Sequence, residues 1–286
     1  MTQDFLQFIF SGLTSGAIYA LIALGFCVVH NTMGIVNFTQ VDFVSLGGML
    51  LYSALFSVGL SMPIALLAAV FGVSLVAMFV ERVGIRPARS TDPLVLIFLT
   101  IGLSIILRGV MALLWGKNRM AVPSLTSDDP LRLLNAAIMP QTLWILALTA
   151  IAIALLAWFY RRTRLGLMMR AVATNPRAAA VVGLPLGRVR MLTFGLAGAL
   201  GGLAGVLVTP ITTLSHDVGV LLGLKGFAAA ILGGFGSLPG AIIGGLGLGL
   251  LESLSAGYIS SAYKDVCAFV VLLLVLFVRP KGLMGR

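Results

Sequence analysis

The chain has 286 residues, of which 59% are hydrophobic and 10% charged, and it carries a formal net charge of +10. Soluble chains are about one quarter charged, so this composition excludes an ordinary soluble domain and fits an all-α, polytopic integral membrane protein. The basic excess would suggest nucleic acid in a soluble chain; in a membrane chain it marks cytoplasmic loops.

Apolar runs approaching the length of a bilayer span, about 20 residues, fall at 5–29, 43–60, 63–80, 94–114, 141–160, 191–208, 221–254 and 266–278. They predict about eight transmembrane helices in one membrane domain covering 1–286. The first run has no basic segment before it and carries Asp4, so it reads as a retained helix rather than a cleaved signal. The stretch "HNTMGIVNFTQVDF" that follows is polar yet flanked by apolar residues. It suits a cytoplasmic loop or a break within the membrane, and hydropathy does not choose between them. Arg108 lies inside an apolar run; it either snorkels to the outer interface or serves a functional pair.

Thirteen of the nineteen basic residues collect in three places. "ERVGIRPARS" (81–90) holds Arg82, Arg86 and Arg89. The segment 161–190 holds Arg161, Arg162, Arg164, Arg170, Arg177, Arg188 and Arg190 without any acidic residue. The tail "RPKGLMGR" holds Arg279, Lys281 and Arg286. All three are assigned to the cytoplasm. The 191–208 helix then leads outward, "TPITTLSHDVG" lies outside, and the 266–278 helix ends inside. The run 221–254 must therefore enter and leave by one face. It is too short for two full spans, which predicts a pair of shortened helices broken at "GGFGSLPG" (233–240). Gly233, Gly234, Gly236, Pro239 and Gly240 become candidate hinge residues. Lys225 and Glu252 are placed to pair across this hairpin, and broken helices of this kind accompany transport pathways.

Within the basic segment, a helix is expected from Arg161 to Thr174, with Gly166 as a weak point. Pro176 biases Asn175 away from helix. Asn175 then suits an N-cap, with Pro176 at the first helical position, and Gly183 suits a left-handed C-cap. The outcome is a detached helix of about two turns outside the membrane. It reads as a docking helix for a cytoplasmic partner, or else as part of a loop facing anionic lipid.

Glycine pairs one turn apart recur: Gly198/Gly202, Gly201/Gly205, Gly236/Gly240, Gly240/Gly244 and Gly245/Gly249. Small residues so spaced let helix backbones approach closely in lipid, as tight packing or as a sliding seam. Cys27 and Cys267 both lie in apolar segments and read as packing residues. The sequence has no nucleotide-binding loop, no H-E-x-x-H, no Cys/His cluster and no nucleophile elbow. No catalytic residue, metal site or cofactor is expected, and His30 and His216 stand far apart.

Several stretches together resemble a known family. "GLTSGAIYALIALGFCVVHNTMGIVNFTQVDFVSLGGML", "ERVGIRPARS", "RAVATNPRAAAVVGL", "LKGFAAAILGGFGSLPGAIIGGLGLGLLE" and "YKDVCAFVVLLLVLFVRPKGLMGR" look like the branched-chain amino acid permeases of ATP-binding-cassette importers. The likeness runs from about residue 10 to the end of the sequence and is nearest to the first of that system's two related permease subunits. It implies a multi-pass permease of the bacterial inner membrane that is not itself an enzyme. Its partners would be a second homologous permease, two cytoplasmic ATP-binding subunits and a periplasmic solute-binding protein. In such importers a short cytoplasmic helix seats in the ATPase. The matching segment is 170–183, which marks Arg170, Asn175, Pro176, Arg177 and Gly183 as ATPase-coupling residues within a coupling region of about 161–190.

The family commonly has Asn-Phe-Ala-His/Gln-Gly-Glu where this chain has Asn37-Phe38-Thr39-Gln40-Val41-Asp42. Asn37, Gln40 and Asp42 are the candidate polar residues of a translocation path. Val41 replaces a glycine there, and related permeases move urea, amides or aromatic acids as well as amino acids. The alternatives are thus a permease of this family for another small solute, or a secondary transporter that works without ATPases.

Overall fold

The computed structural model describes residues 2–88, 92–126, 129–133 and 136–285; Arg89 and Arg286 of the basic clusters lie outside them. Helices account for nearly all regular structure: α1 (Thr2–Met33), α2 (Gln40–Phe56), α3 (Met62–Val80, continued by a π turn at Glu81–Ile85), α4 (Pro93–Trp115) and α5 (Pro140–Arg162) form the first part. They are followed by α6 (Arg164–Thr174), α7 (Pro176–Val181), α8 (Leu186–Val208), α9 (Val218–Gly233), α10 (Leu238–Tyr258) and α11 (Lys264–Val278). The all-α expectation holds, with one small addition: an antiparallel hairpin pairs β1 (Leu131–Leu133) with β2 (Ala136–Ile138). Among the described residues, six helices are long and apolar enough to cross a membrane, and α2 and α9 are shorter apolar helices.

The basic segments converge on one end of the bundle. The Arg86 guanidinium lies against Gly187 at the start of α8, and the tail pairs with the end of α9 through Leu283 N to Leu232 O and Met284 N to Gly233 O, both 2.9 Å. This end is called the basic face. The opposite face carries the segments 116–126, 209–217 and 259–263, the first two joined by reciprocal backbone hydrogen bonds between Met120 and Leu214.

α1 is the axis. Its apolar window is 89% buried, whereas that of α4 is 17% buried, so α4 has little protein around it and its apolar surface suits lipid. α1 and α10 meet backbone to backbone: a Cβ placed on Gly249 would lie 2.3 Å from the Gly16 nitrogen, and one on Gly245 would lie 2.5 Å from the Ala20 nitrogen. α8 uses two glycine stripes in two directions. Gly198 and Gly202 press on Ala77 and Val73 of α3, while Gly201 and Gly205 press on Gln40 and Val44 of α2. Close approach of this kind is what holds helices together where lipid removes the hydrophobic drive. The pairs Gly198/Gly202, Gly201/Gly205, Gly240/Gly244 and Gly245/Gly249 therefore lie in helix contacts, whereas Gly236 sits in the turn before α10; Gly12 and Gly16 are the α1 side of the α1–α10 seam.

The ambiguous stretch after α1 is a break within the apolar thickness. The chain turns at Gly34 (φ +69°) and runs back inward, where Phe38 N donates to Thr100 Oγ1 at 3.2 Å and Gln40 Nε2 donates to Ala197 O at 3.0 Å. Ala197 lies about 16 Å along α8 from Leu186, so α2 begins well inside the bundle. It is only about 26 Å long, shorter than a hydrocarbon core of about 30 Å. α9 starts inside as well, with Gly219 N donating to Ser45 Oγ of α2 at 2.8 Å.

Two expectations shift. The pair at 221–254 is unequal: α9 is short, whereas α10 is long enough to span alone. The serines and glycines of its last turns masked this length, yet Ser253 Oγ donates to Phe8 O of α1 at 2.7 Å and holds that end in the bundle. The helix from Arg161 to Thr174 is interrupted at Thr163, not at Gly166. Thr163 leaves helical geometry (ψ 150°) and its side chain caps α6 by accepting from Gly166 N at 3.0 Å. Gly166 is needed because α6 folds back so closely that a Cβ there would sit 2.3 Å from Phe159 O.

Substituting Gly249→Ala should destabilise the folded chain by about 1–3 kcal/mol through overpacking. Gly247→Ala, where a Cβ meets nothing within 4 Å, should be neutral or mildly stabilising. Thermal unfolding in detergent compares the two, and equal melting temperatures would contradict the seam.

Candidate functional site

Two regions stand out, one at each end. On the basic face α7 projects as the sequence requires. Asn175 Oδ1 accepts from Ala178 N at 3.0 Å and Pro176 occupies the first turn. At the other end Gly183 has φ +86°. Its N–H bonds to Ala180 O, and Leu184 N–H to Ala179 O, the paired bonds of a Schellman ending. Ala179 packs with Met169 of α6 and Val189 of α8, which anchors the base of the helix. The tip is bare: Val181 and Val182 are 89% and 81% exposed, and all seven arginines of 161–190 are exposed. Arg170, Asn175, Pro176, Arg177 and Gly183 thus share one projecting unit.

A cavity of about 490 Å³ lies beside it, lined among others by His30, Arg86, Pro176 and Arg190. Next to it is the 233–240 turn. Gly234 (φ +105°) and Gly236 (φ +95°) adopt backbone that only glycine takes readily. Gly233 lies against the Gly240 carbonyl, Pro239 sits in the first turn of α10, and Ser237 caps that helix by accepting from Gly240 N at 3.2 Å. The five candidate hinge residues form one tight turn, strapped down by the 282–285 tail.

On the opposite face a vestibule of about 650 Å³ opens between α1, the start of α5, the 209–217 segment, α9 and α10. Its walls mix polar residues (Gln7, Ser11, Thr14, Gln141 and Thr212) with apolar ones, among them Phe10, Ile18, Ile211, Leu221 and Leu222. Lys225 Nζ stands 2.6 Å from Glu252 Oε1 and 2.7 Å from Asp265 Oδ1. Tyr19 Oη donates to Glu252 Oε2 at 2.7 Å, and Lys264 Nζ lies 3.6 Å from Glu252 Oε1. The Lys225–Glu252 pair across the hairpin was expected. Tyr19, Lys264 and Asp265 were not: a tyrosine in an apolar run and two charges at a helix start carry no local signal of convergence.

Asn37, Gln40 and Asp42 line neither cavity. All three are fully buried and knit the α1–α2 connection. Asn37 Oδ1 accepts from Thr39 Oγ1 at 2.6 Å, Gln40 reaches Ala197, and Asp42 Oδ1 accepts from Arg108 Nε at 3.0 Å. Arg108 therefore turns inward, with Nη2 on Ser104 Oγ at 2.8 Å. Asn37 Nδ2, Gln40 Oε1 and Asp42 Oδ2 each remain without a hydrogen-bond partner, at a cost of about 1–3 kcal/mol per group. Cys27 is buried and Cys267 half-buried, both as free thiols.

Long lipid-suited helices, two that begin inside the apolar layer and a charged vestibule define a polytopic membrane protein with the architecture of a transport subunit. Residues 8–276 match the family model described as the branched-chain amino acid transport system permease component, and the chain belongs to that family. It is 37% identical to the high-affinity branched-chain amino acid transport system permease protein LivH of Escherichia coli (strain K12), over 100% of this chain and 98% of the relative. It is 34% identical to the corresponding permease BraD of Pseudomonas aeruginosa, over 99% and 96%. A third relative, the autoinducer 2 import system permease LsrC of Escherichia coli (strain K12 / DH10B), is 30% identical over 92% and 76%.

Replacing Lys225 by Met should cost about 3–5 kcal/mol, because it leaves Glu252 buried beside a lost partner. Tyr19→Phe, which removes one hydrogen bond to a charged group, should cost about 1.5–3 kcal/mol. Thermal unfolding of the purified chain measures both, and the order should be Lys225→Met worse than Tyr19→Phe.

Proposed function

We propose that this chain is the membrane-spanning permease subunit of an ATP-driven importer for branched-chain or related amino acids. Its partners in this reading are a second homologous permease, two cytoplasmic ATP-binding subunits and a periplasmic solute-binding protein. The basic face lies in the cytoplasm and the membrane is the bacterial inner membrane, with the vestibule open to the periplasm. Residues 1–286 act as one permease domain, of which about 161–190 is the coupling region.

The observation that carries the reading is the α7 tip. A capped two-turn helix that shows Val181 and Val182 to solvent among arginines suits insertion into a groove of another protein. A push on it would travel through Met169 and Val172 to Phe159 and Tyr160 at the end of α5, and through Leu186 and Val189 into α8. From α8 the two glycine stripes reach α2 and α3 together. Motion of α2 would then bring Asn37, Gln40 and Asp42, each with an unsatisfied polar atom, into contact with the path. The strapped 233–240 turn is the pivot of the α9–α10 pair.

A second reading, import of another small solute, draws on the relative named for autoinducer 2 import. The test is solute-stimulated ATP hydrolysis by the reconstituted complex, with leucine, valine, small polar amino acids, urea and aromatic acids in the panel. The double substitution Arg170→Glu/Arg177→Glu should lower stimulated hydrolysis at least about tenfold, since two charges that face the ATPase are reversed. Solute flux that persists without any ATPase would overturn the reading in favour of a secondary transporter.

A further inference from the structure

The charges beneath the vestibule are more numerous than a helix clamp needs. Lys225 is held between Glu252 and Asp265 at 2.6 and 2.7 Å, and with the Tyr19 hydrogen bond this ties α1, α9, α10 and α11 together. Lys264 adds nothing to that tie. Its ammonium is 3.6 Å from Glu252 Oε1, an ion-pair distance beyond hydrogen bonding. Its side chain is 43% exposed, whereas that of Glu252 is 9% exposed. Lys225, Glu252 and Lys264 all border the cavity, and Lys264 is the most exposed and most loosely held of the three.

We propose that Glu252 and Lys264 form a receiving site for the head group of a free zwitterionic amino acid. The proposal rests on the import function above and assigns the residues that meet the cargo first. The substrate carboxylate takes hydrogen bonds from Lys264 Nζ, and its α-ammonium donates to Glu252 Oε2, the oxygen already oriented by Tyr19. The side chain lies against Ile18, Leu221 and Leu222. Two lysines and two carboxylates sum to zero, so the group has no net attraction for a plain anion or cation. A dipolar ion aligned with the separated signs gains at both ends. Lys264, half exposed and 3.6 Å from Glu252, gives up little when it turns to a ligand, which suits a site that must release it.

The experiment uses the full chain with its permease and ATPase partners in sealed proteoliposomes, in a Cys267→Ser background, with the solute-binding protein added for the uptake measurement. Ile211→Cys, on the vestibule wall, is labelled with a methanethiosulfonate reagent in the presence of L-leucine, leucinamide or N-acetyl-leucine. Leucine should slow labelling, and the two singly charged analogues should need at least about tenfold higher concentrations to do so. In Lys264→Gln, leucine protection should weaken about tenfold and the preference for leucine over leucinamide should vanish, a change that a purely structural lysine would not produce. Equal protection by all three compounds, or an unchanged preference in Lys264→Gln, overturns the assignment. If ATP-driven leucine uptake works but leucine gives no protection, this inference falls and the import function stands. If the complex shows no ATP-dependent uptake of any solute, it is the import reading that fails.

Discussion

Backbone contact between helices is the constraint on which the molecule depends. Lipid tails are as apolar as leucine, so burying apolar side chains gains little, and association rests on how closely the chains can pack. Here α1 is clasped by α10 along Gly12, Gly16, Gly245 and Gly249, and α8 is held from two directions by α2 and α3. These seams fix where α2 and α9 start. Because α9 begins inside the bundle, space is left above it on the opposite face, and the vestibule opens there; α2 instead runs from its inner start out to that face, where Gly48 lies against Thr209. The shape of the vestibule is thus a consequence of glycine placement, with the charged residues fitted to the room it leaves.

Polar side chains then set the direction of each break. Asn37 and Thr39 curl the backbone into its inward turn, Gln40 docks that turn on the Ala197 carbonyl, and Ser45 receives the first turn of α9. Irregular backbone at this depth is tolerated because protein surrounds it. The basic face is built by other means: capping residues and glycines with positive φ shape α7 and the 233–240 turn, and the arginines stay in solvent. One end of the protein is therefore defined by local chain chemistry and the other by contacts far apart in sequence.

That difference decides what could be read from the residues alone. Asn175, Pro176 and Gly183 encode a helix start and stop within nine positions, and the structure has both. The three arginine clusters meet at one end because charge sorting acts on each loop separately. The fate of 30–42 was illegible, since the partners that draw it inward, Thr100 and Ala197, belong to α4 and α8. Tyr19, Lys264 and Asp265 stayed hidden for the same reason, each being ordinary until α1, α10 and α11 are assembled. Thr163 was passed over in favour of Gly166, whose real task is close packing on Phe159 rather than chain breaking. The hairpin at 131–138 offers only three residues per strand, too few for periodicity to announce.

The pairing of Arg108 with Asp42 also bears on how the protein is made. The two residues are 66 positions apart, so α2 is synthesised with its carboxylate alone and the neutralising guanidinium follows only with α4. An arginine at mid-helix opposes insertion by about 2.5–3.5 kcal/mol, and a carboxylate already waiting in the bilayer offsets that cost. The cost of placing either charge in lipid is thus met only when α2 and α4 lie together. The ion pair therefore makes the membrane stability of α4 conditional on α2, although the two helices share few other contacts.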